Sequence, residues 1–438
     1  MHKKFIKALA WNSSVAFLYK AILLLHQIML YSIISKILYG IQSTLFATIY
    51  LVIAITNFGF EDTLLPFFST YSQSKRQFIQ LIYYLMVRIA TVTFVAITMY
   101  KLILIYSSTH FIENLKNYCD HELLIVIMLI FFVESIKKSM NAIAQLAFLN
   151  KQIAYAELGM LFSYVSIIWI SYGVGQIISL KTIFLSMLIT ATIELMYLTL
   201  VLLQYYQHLP TTLTTTPKIA SIIIARQSMY NYIHQLSKTI FSPNSMTILF
   251  AYLLGFQQAA TIKFFTNIIT LGYTFIYKII SSAGGATLSH VHQASTDLIR
   301  DVFSKITTVY FQFLVTMTVM VSIILGCSWY RATITNTMVL QLSLFFIVGF
   351  LEQITLIYER LFISQGRAAI LAILNSCELI MLLPILYYIL CYTGDKNYNY
   401  IIFIFFVIIK LISLCTIASL ASKYWDIKPI FLSKHNIK

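Results

Sequence analysis

The sequence predicts an all-α polytopic membrane protein with about 12 transmembrane helices in two six-helix lobes. Three observations predict it. Hydrophobic residues fill 59% of the 438 positions, and mean hydropathy is +0.83. Charged residues make up only 10%, against about a quarter in an ordinary globular domain. Apolar runs of roughly 20 residues, enough for a helix to cross a bilayer, recur from end to end.

The runs lie near 13–35, 40–60, 79–100, 122–148, 155–178, 182–204, 222–241, 245–289, 306–327, 333–357, 369–392 and 399–422. The first follows a basic start (Lys3, Lys4, Lys7) that resembles a signal peptide. It is too long and carries Lys20, so it is expected to remain as a first transmembrane helix. The run 245–289 is long enough for two spans, with a break near Gln257. Taking 222–241 and 245–255 as one helix interrupted at Ser242-Pro243-Asn244 leaves six spans on either side of mid-chain. The polar, Pro-bounded stretch 207–218 reads as a linker between lobes 1–206 and 219–438. The lobes echo each other at an offset of 214, where Phe131-Phe132-Val133 lines up on Phe345-Phe346-Ile347, Phe148 on Phe362 and Lys138 on Glu352. Six spans per lobe make the repeats parallel, with a binding site expected between them near mid-membrane.

Charge sets the orientation. With the N-terminus in the cytoplasm, 16 Lys and Arg fall on inner segments, 7 on outer segments and 7 within spans. The excess of cations on cytoplasmic segments favours both termini inside. The net charge of +15 is scattered over short loops, which argues against nucleic acid as a partner. Five cysteines form no CxxC pair, and neither a phosphate-binding GxxxxGK[ST] loop nor an HExxH motif occurs. No cofactor or metal is expected.

The seven basic residues within spans are Lys20, Arg88, Lys137, Lys138, Lys238, Lys278 and Lys410. A cation in hydrocarbon costs at least about 2.5–3.5 kcal/mol, so such residues usually face a wet cavity or a partner. Four carboxylates share the spans (Glu134, Glu194, Glu352, Glu378), leaving three surplus positive charges. That balance points to an anionic cargo. Gln227, Asn231, His234, Gln235, Lys238 and Ser242 recur at helical spacing on one face of the seventh span. They are expected to wall a cavity, with hydrogen bonding to neighbouring helices as the alternative. Ser13, Lys20 and Gln27 share a face of the first span, where Lys20 either enters the cavity or snorkels to the headgroups. Glu134 is expected to neutralise Lys138 and leave Lys137 for a ligand, while Arg88 and Lys278 lack an acidic neighbour on their own helix. Glu194 and Glu378 are the candidates for a coupling ion, H⁺ or Na⁺, or else for charge partners of intramembrane lysines.

Local sequence adds a resemblance. The segment from Thr56 through Asn57, Phe58, Gly59, Glu61 and Asp62 to Pro66, together with the turns Ala147–Gln152 and Leu361–Arg367, resembles the multidrug/oligosaccharidyl-lipid/polysaccharide (MOP) exporter superfamily. Within the superfamily, the segment closing the second span looks like that of the polysaccharide branch. The resemblance implies a flippase of the cell inner membrane that moves a polyprenyl-(di)phosphate-linked oligosaccharide by alternating access for surface polysaccharide synthesis. It would work beside membrane lipids and polymerase or glycosyltransferase partners. Lys20, Arg88, Lys137, Lys238 and Lys278 would hold phosphate, and Gln27, Asn231, His234 and Gln235 would bond sugar hydroxyls. The alternatives are an ion-coupled small-molecule or multidrug exporter of the same superfamily and a membrane glycosyltransferase or polymerase.

Overall fold

The computed structural model describes residues 2–72, 74–105, 117–211, 221–240, 242–257, 259–260, 263–264, 267, 288, 296–330, 336–392 and 399–427. Among them thirteen helical segments follow one another: α1 His2–Ile33, α2 Lys36–Ile55, α3 Phe60–Tyr71, α4 Lys75–Ile105, α5 His121–Leu146, α6 Asn150–Gly173, α7 Leu180–Gln207, α8 Ser221–Ile240, α9 Pro243–Leu254, α10 Thr296–Tyr330, α11 Asn336–Ser364, α12 Ala368–Tyr392 and α13 Asn399–Trp425. The all-helical class expected from the apolar runs is the class observed. Five of these helices (α2, α4, α6, α7 and α13) contain stretches long and apolar enough to cross a membrane.

Local chemistry sets the helix starts. Ser35, Asp120, Ser179 and Ser242 each accept a hydrogen bond from a backbone N–H three residues on, at 2.8–3.3 Å. Each cap satisfies a donor that the first turn leaves without a partner. Within the helices, hydroxyls donate to carbonyls one turn back, as Thr44 does to Gly40 (2.8 Å) and Thr190 to Ser186 (2.9 Å). That self-contained bonding lets polar residues sit in apolar surroundings.

Two breaks distinguish the structure from twelve plain rods. The second expected span does not close at residue 60. The chain turns at Thr56–Gly59, where Phe58 and Gly59 have φ of 50° and 67°, and continues as α3. A Cβ on Gly59 would lie 2.6 Å from the Ser228 carbonyl oxygen and 2.7 Å from the Tyr232 nitrogen, so the turn rests on the α8 backbone. The second break falls at Ser242, as the Ser-Pro-Asn signal indicates. Pro243 takes an initial helical position, where its missing N–H has no partner to lose.

The expected repeat register shifts by one helical turn. Phe148 (φ 58°) and Gly366 (φ 70°) adopt left-handed backbone after α5 and α11. The following residue closes a matching bond in each, Leu149 N–H to Ala144 O (2.9 Å) and Arg367 N–H to Phe362 O (2.8 Å). The equivalent turns are therefore 218 residues apart instead of 214, and Glu134, rather than Lys138, corresponds to Glu352. Apolar helices tolerate a four-residue slide in a sequence comparison because it preserves the buried face.

Two apolar clusters organise the packing. One joins the first half, through Leu64, Phe68 and Phe78, to Phe303, Tyr358 and Phe362 of the second. The other lies mainly among α2, α5, α6 and α7 around Ile49, Ile130, Ile168 and Phe184, and includes Ala260. Outward-facing side chains on α4 and α7, such as Phe94 (71% exposed) and Met196 (64%), are themselves apolar, which suits contact with lipid.

Candidate functional site

The break at Thr56–Gly59 matters because it directs Glu61 and Asp62 into the interior. Both sit in the first turn of α3, where the partial positive charge of a helix N-terminus favours carboxylates. Asp62 receives Arg360 of α11 at 2.5 Å and Gln235 of α8 at 2.7 Å. Gln235 in turn accepts from Asn57 at 3.1 Å. Asn231 donates to Thr63 (3.2 Å), and Ser228 donates to the Phe58 carbonyl (2.5 Å). One turn further along α8, Lys238 pairs with Glu359, and the His234 ring meets Asn375 at 2.6 Å.

The polar stripe of α8 is therefore a seam binding it to α3, α11 and α12. Asn231 and His234 are buried (0% and 2% exposed), and Asn231, His234, Gln235 and Lys238 line neither cavity described below. The observed bonds correspond to the alternative of hydrogen bonding to neighbouring helices. Helical spacing identifies a face that needs polar partners, but protein groups satisfy that need as well as water does.

A second group of charges sits on α5. Lys137 Nζ lies 2.5 Å from Glu134 and 2.9 Å from Glu194 of α7. Lys138 turns the other way and meets Glu61 at 3.5 Å. The expected assignment is thus reversed, since Glu134 holds Lys137 rather than Lys138. Residues 137 and 138 point about 100° apart on a 3.6-residue helix, and α7 brings Glu194 to the face of Lys137. The second half has a counterpart, with Lys410 of α13 2.8 Å from Glu378 of α12 and under the electrostatic influence of Glu352. Both ion-coupling candidates, Glu194 and Glu378, are thus lysine partners.

The remaining expected residues scatter. Arg88 is buried (6% exposed), stacks on Phe60 and donates to the Ser135 carbonyl at 3.4 Å. Lys20 lies over the Tyr19 ring and lines neither cavity. Gln27 lines the smaller cavity and accepts from Tyr39 (3.3 Å) and Asn267 (2.6 Å). Lys278 lies outside the described residues.

Two cavities adjoin these groups. The larger, about 340 Å³, is walled by three carboxylates (Glu61, Asp62, Glu134) and three cations (Lys137, Lys138, Arg360), so its formal charges cancel. The smaller, about 210 Å³, is aromatic and amide-rich and has Tyr50 as a common wall with the first. Among the described residues no group of three His, Cys, Asp or Glu is placed to hold a metal.

Sequence reasoning missed Asp62, Glu359 and Arg360. Arg360 falls just past the apolar run 333–357 and so counts as a loop cation, but α11 continues to Ser364 and carries it inside. The usable signal was the acidic pair at 61–62 directly after a glycine turn, which marks a helix start.

No protein-family model and no curated protein matches the sequence. Solved structures do. The outward-facing conformation of a multidrug resistance MATE family transporter of the MOP superfamily superposes with a TM-score of 0.71 at 13% identity, covering 96% of each chain. A MOP superfamily transporter from Pyrococcus furiosus, reported with reversed binding-pocket polarity, gives 0.67 at 12% identity over 96% of this chain and 95% of its own. A MATE protein in complex with Br-NRF gives 0.59 at 14% identity over 94% of both. At this identity the likeness establishes a common fold.

Proposed function

We propose that the protein is an ion-coupled exporter of small organic molecules, multi-pass in the cell inner membrane, working by alternating access between lobes 1–206 and 219–438. The observation that carries this reading is the pairing of five interior cations with carboxylates, while buried Arg88 donates to the Ser135 carbonyl. Lys137, Lys138, Lys238, Arg360 and Lys410 each have an acidic partner at ion-pair distance. A polyprenyl diphosphate would need surplus positive charge in the cavity, and the larger cavity is balanced. The MATE-like fold supports the export reading over the lipid-linked oligosaccharide reading.

The coupling site follows from charge arithmetic. With Lys137 protonated and Glu134 and Glu194 ionised, the cluster carries one net negative charge. Binding one H⁺ or Na⁺ makes it neutral, and a buried cluster favours neutrality because burial penalises net charge. In the second half Lys410 and Glu378 form a one-to-one pair.

The test uses purified protein in vesicles with an imposed H⁺ or Na⁺ gradient and follows movement of a fluorescent organic compound. Glu194→Gln makes the cluster neutral without a bound ion. It is expected to reduce gradient-driven movement at least about tenfold, equivalent to about 1.4 kcal/mol, while leaving the protein folded. Gradient-independent protection of a labelled lipid-linked oligosaccharide, with no gradient-driven movement of small compounds, would instead restore the flippase reading.

A further inference from the structure

One ion pair in the wall of the larger cavity differs from the others. Lys137 and Arg360 each meet a carboxylate at 2.5 Å, and their side chains are 9% and 11% exposed. Lys138 and Glu61 line the same cavity but stand 3.5 Å apart, and 40% and 21% of their side-chain surface stays accessible. That distance exceeds the 2.7–2.9 Å of a closed charge-assisted hydrogen bond. The pair is a loose contact, open to water or a ligand. An ammonium has three donors and a carboxylate accepts at two oxygens, so each partner can serve a second charge.

Charge and shape narrow the occupant. The charged lining residues cancel, and behind them Arg88 interacts electrostatically with Glu61, and Glu194 pairs with Lys137, one further charge of each sign. A ligand of net charge would bring that charge uncompensated into a low-dielectric interior. An uncharged ligand would strip water from Lys138 and Glu61 without replacing it. A molecule bearing both charges avoids both costs, because it can lie head to tail along the pair. Beyond the pair, α3 and α5 both run into the apolar cluster that holds Leu65 and Leu146. One turn past Glu61 the cavity meets Leu65, and one and two turns past Lys138 it meets Ala142 and Leu146, with Asn141 and Gln145 beside them. About 340 Å³ is roughly eleven times the ~30 Å³ share of a water molecule, enough for an amino acid with a large apolar side chain.

We propose that the larger cavity takes a small zwitterion of amino-acid type, with its carboxylate on Lys138, its ammonium on Glu61 and its apolar side chain against Leu65, Ala142 and Leu146. The assignment rests on the export reading for its biological meaning, since it names the cargo class. The position suits coupling, because Glu134 and Lys137 of the proposed ion-coupling cluster line the same cavity.

Equilibrium binding to the full chain in nanodiscs, with no gradient, tests the proposal apart from transport. The probes form a matched series: phenylalanine, the cation phenethylamine, the anion hydrocinnamate and the uncharged hydrocinnamamide. Phenylalanine is expected to bind saturably, and each of the other three at least about tenfold more weakly, the effect of one lost hydrogen bond to a charged group. Lys138→Gln should weaken phenylalanine about tenfold and turn the preference toward phenethylamine, and Glu61→Gln should turn it toward hydrocinnamate. Opposite changes of preference in the two variants separate ligand contact from a structural role, which would weaken all four probes alike. Failure of phenylalanine to bind the unaltered protein, or equal or tighter binding of any analogue, overturns the proposal without recourse to a variant. Phenylalanine binding with no gradient-driven movement would instead refute the export reading and leave this site standing. Gradient-driven movement of other small compounds without preference for the zwitterion would remove this cargo class and leave the export reading.

Discussion

Asp62→Ala is expected to destabilise the protein by about 3–5 kcal/mol, the cost of breaking a buried ion pair by removing one of its members. Arg360 loses the carboxylate that holds it at 2.5 Å, and Gln235 loses the acceptor of its 2.7 Å bond. The side chains of Asp62 and Arg360 are 5% and 11% exposed, so water cannot readily replace the lost partner. Thermal unfolding of purified protein in detergent should show a clear fall in the midpoint. Exchanging the charges, with Asp62→Arg and Arg360→Asp together, should recover part of it, whereas either exchange alone should be worse than Asp62→Ala. Equal stability of Asp62→Ala and the unaltered protein would show that this pair does not hold α3 to α11. The pair joins positions 298 residues apart across the expected interface between lobes. Vesicle transport by the exchanged protein would then report whether the contact must open during the cycle.

Gly59→Ala carries the second largest expected effect, because two independent costs coincide. The backbone at φ 67° is disfavoured for a residue with a Cβ by roughly 1–2 kcal/mol. The added carbon would also lie 2.6–2.8 Å from Ser228 O, Tyr232 N and Asn231 Cβ, so α3 and α8 must separate. That separation strains the 2.5 Å Ser228 bond and the 3.2 Å Asn231 bond across the same contact. The expected loss is about 3 kcal/mol when overpacking of roughly 1–3 kcal/mol is added to the backbone cost. Gly175→Ala is a useful comparison, since its φ is 83° but a Cβ there meets nothing within 4 Å. It should show the backbone cost alone. Indistinguishable midpoints for the two variants would remove the close approach as a structural constraint.

The class of fold and the order of the described helices are readable from composition and apolar runs, because crossing a bilayer requires apolar stretches of about 20 residues. Helix starts are readable too, since a cap lies within three residues of the group it satisfies. Ser242 followed by Pro243 announces a break in one short stretch. The break at Thr56–Gly59 is quieter. Gly59 marks it, but the surrounding apolar residues continue, and the approach of α8 adds to the positive φ in requiring glycine there.

The pairing of charges belongs to the tertiary structure. The sequence places Glu134 three residues from Lys137 and four from Lys138, and the local preference for the four-residue pair is overridden in the fold. The choice is made by Glu194, 57 residues beyond Lys137, when α7 packs against α5 and brings a second carboxylate to one lysine. Asp62 and Arg360 are likewise polar residues at the margins of apolar runs until folding joins them. Composition thus determined that charges would be buried and that each would need compensation. Which partner supplies it depends on helix rotation and long-range packing, because an ion pair forms over a few ångströms of space irrespective of the separation along the chain.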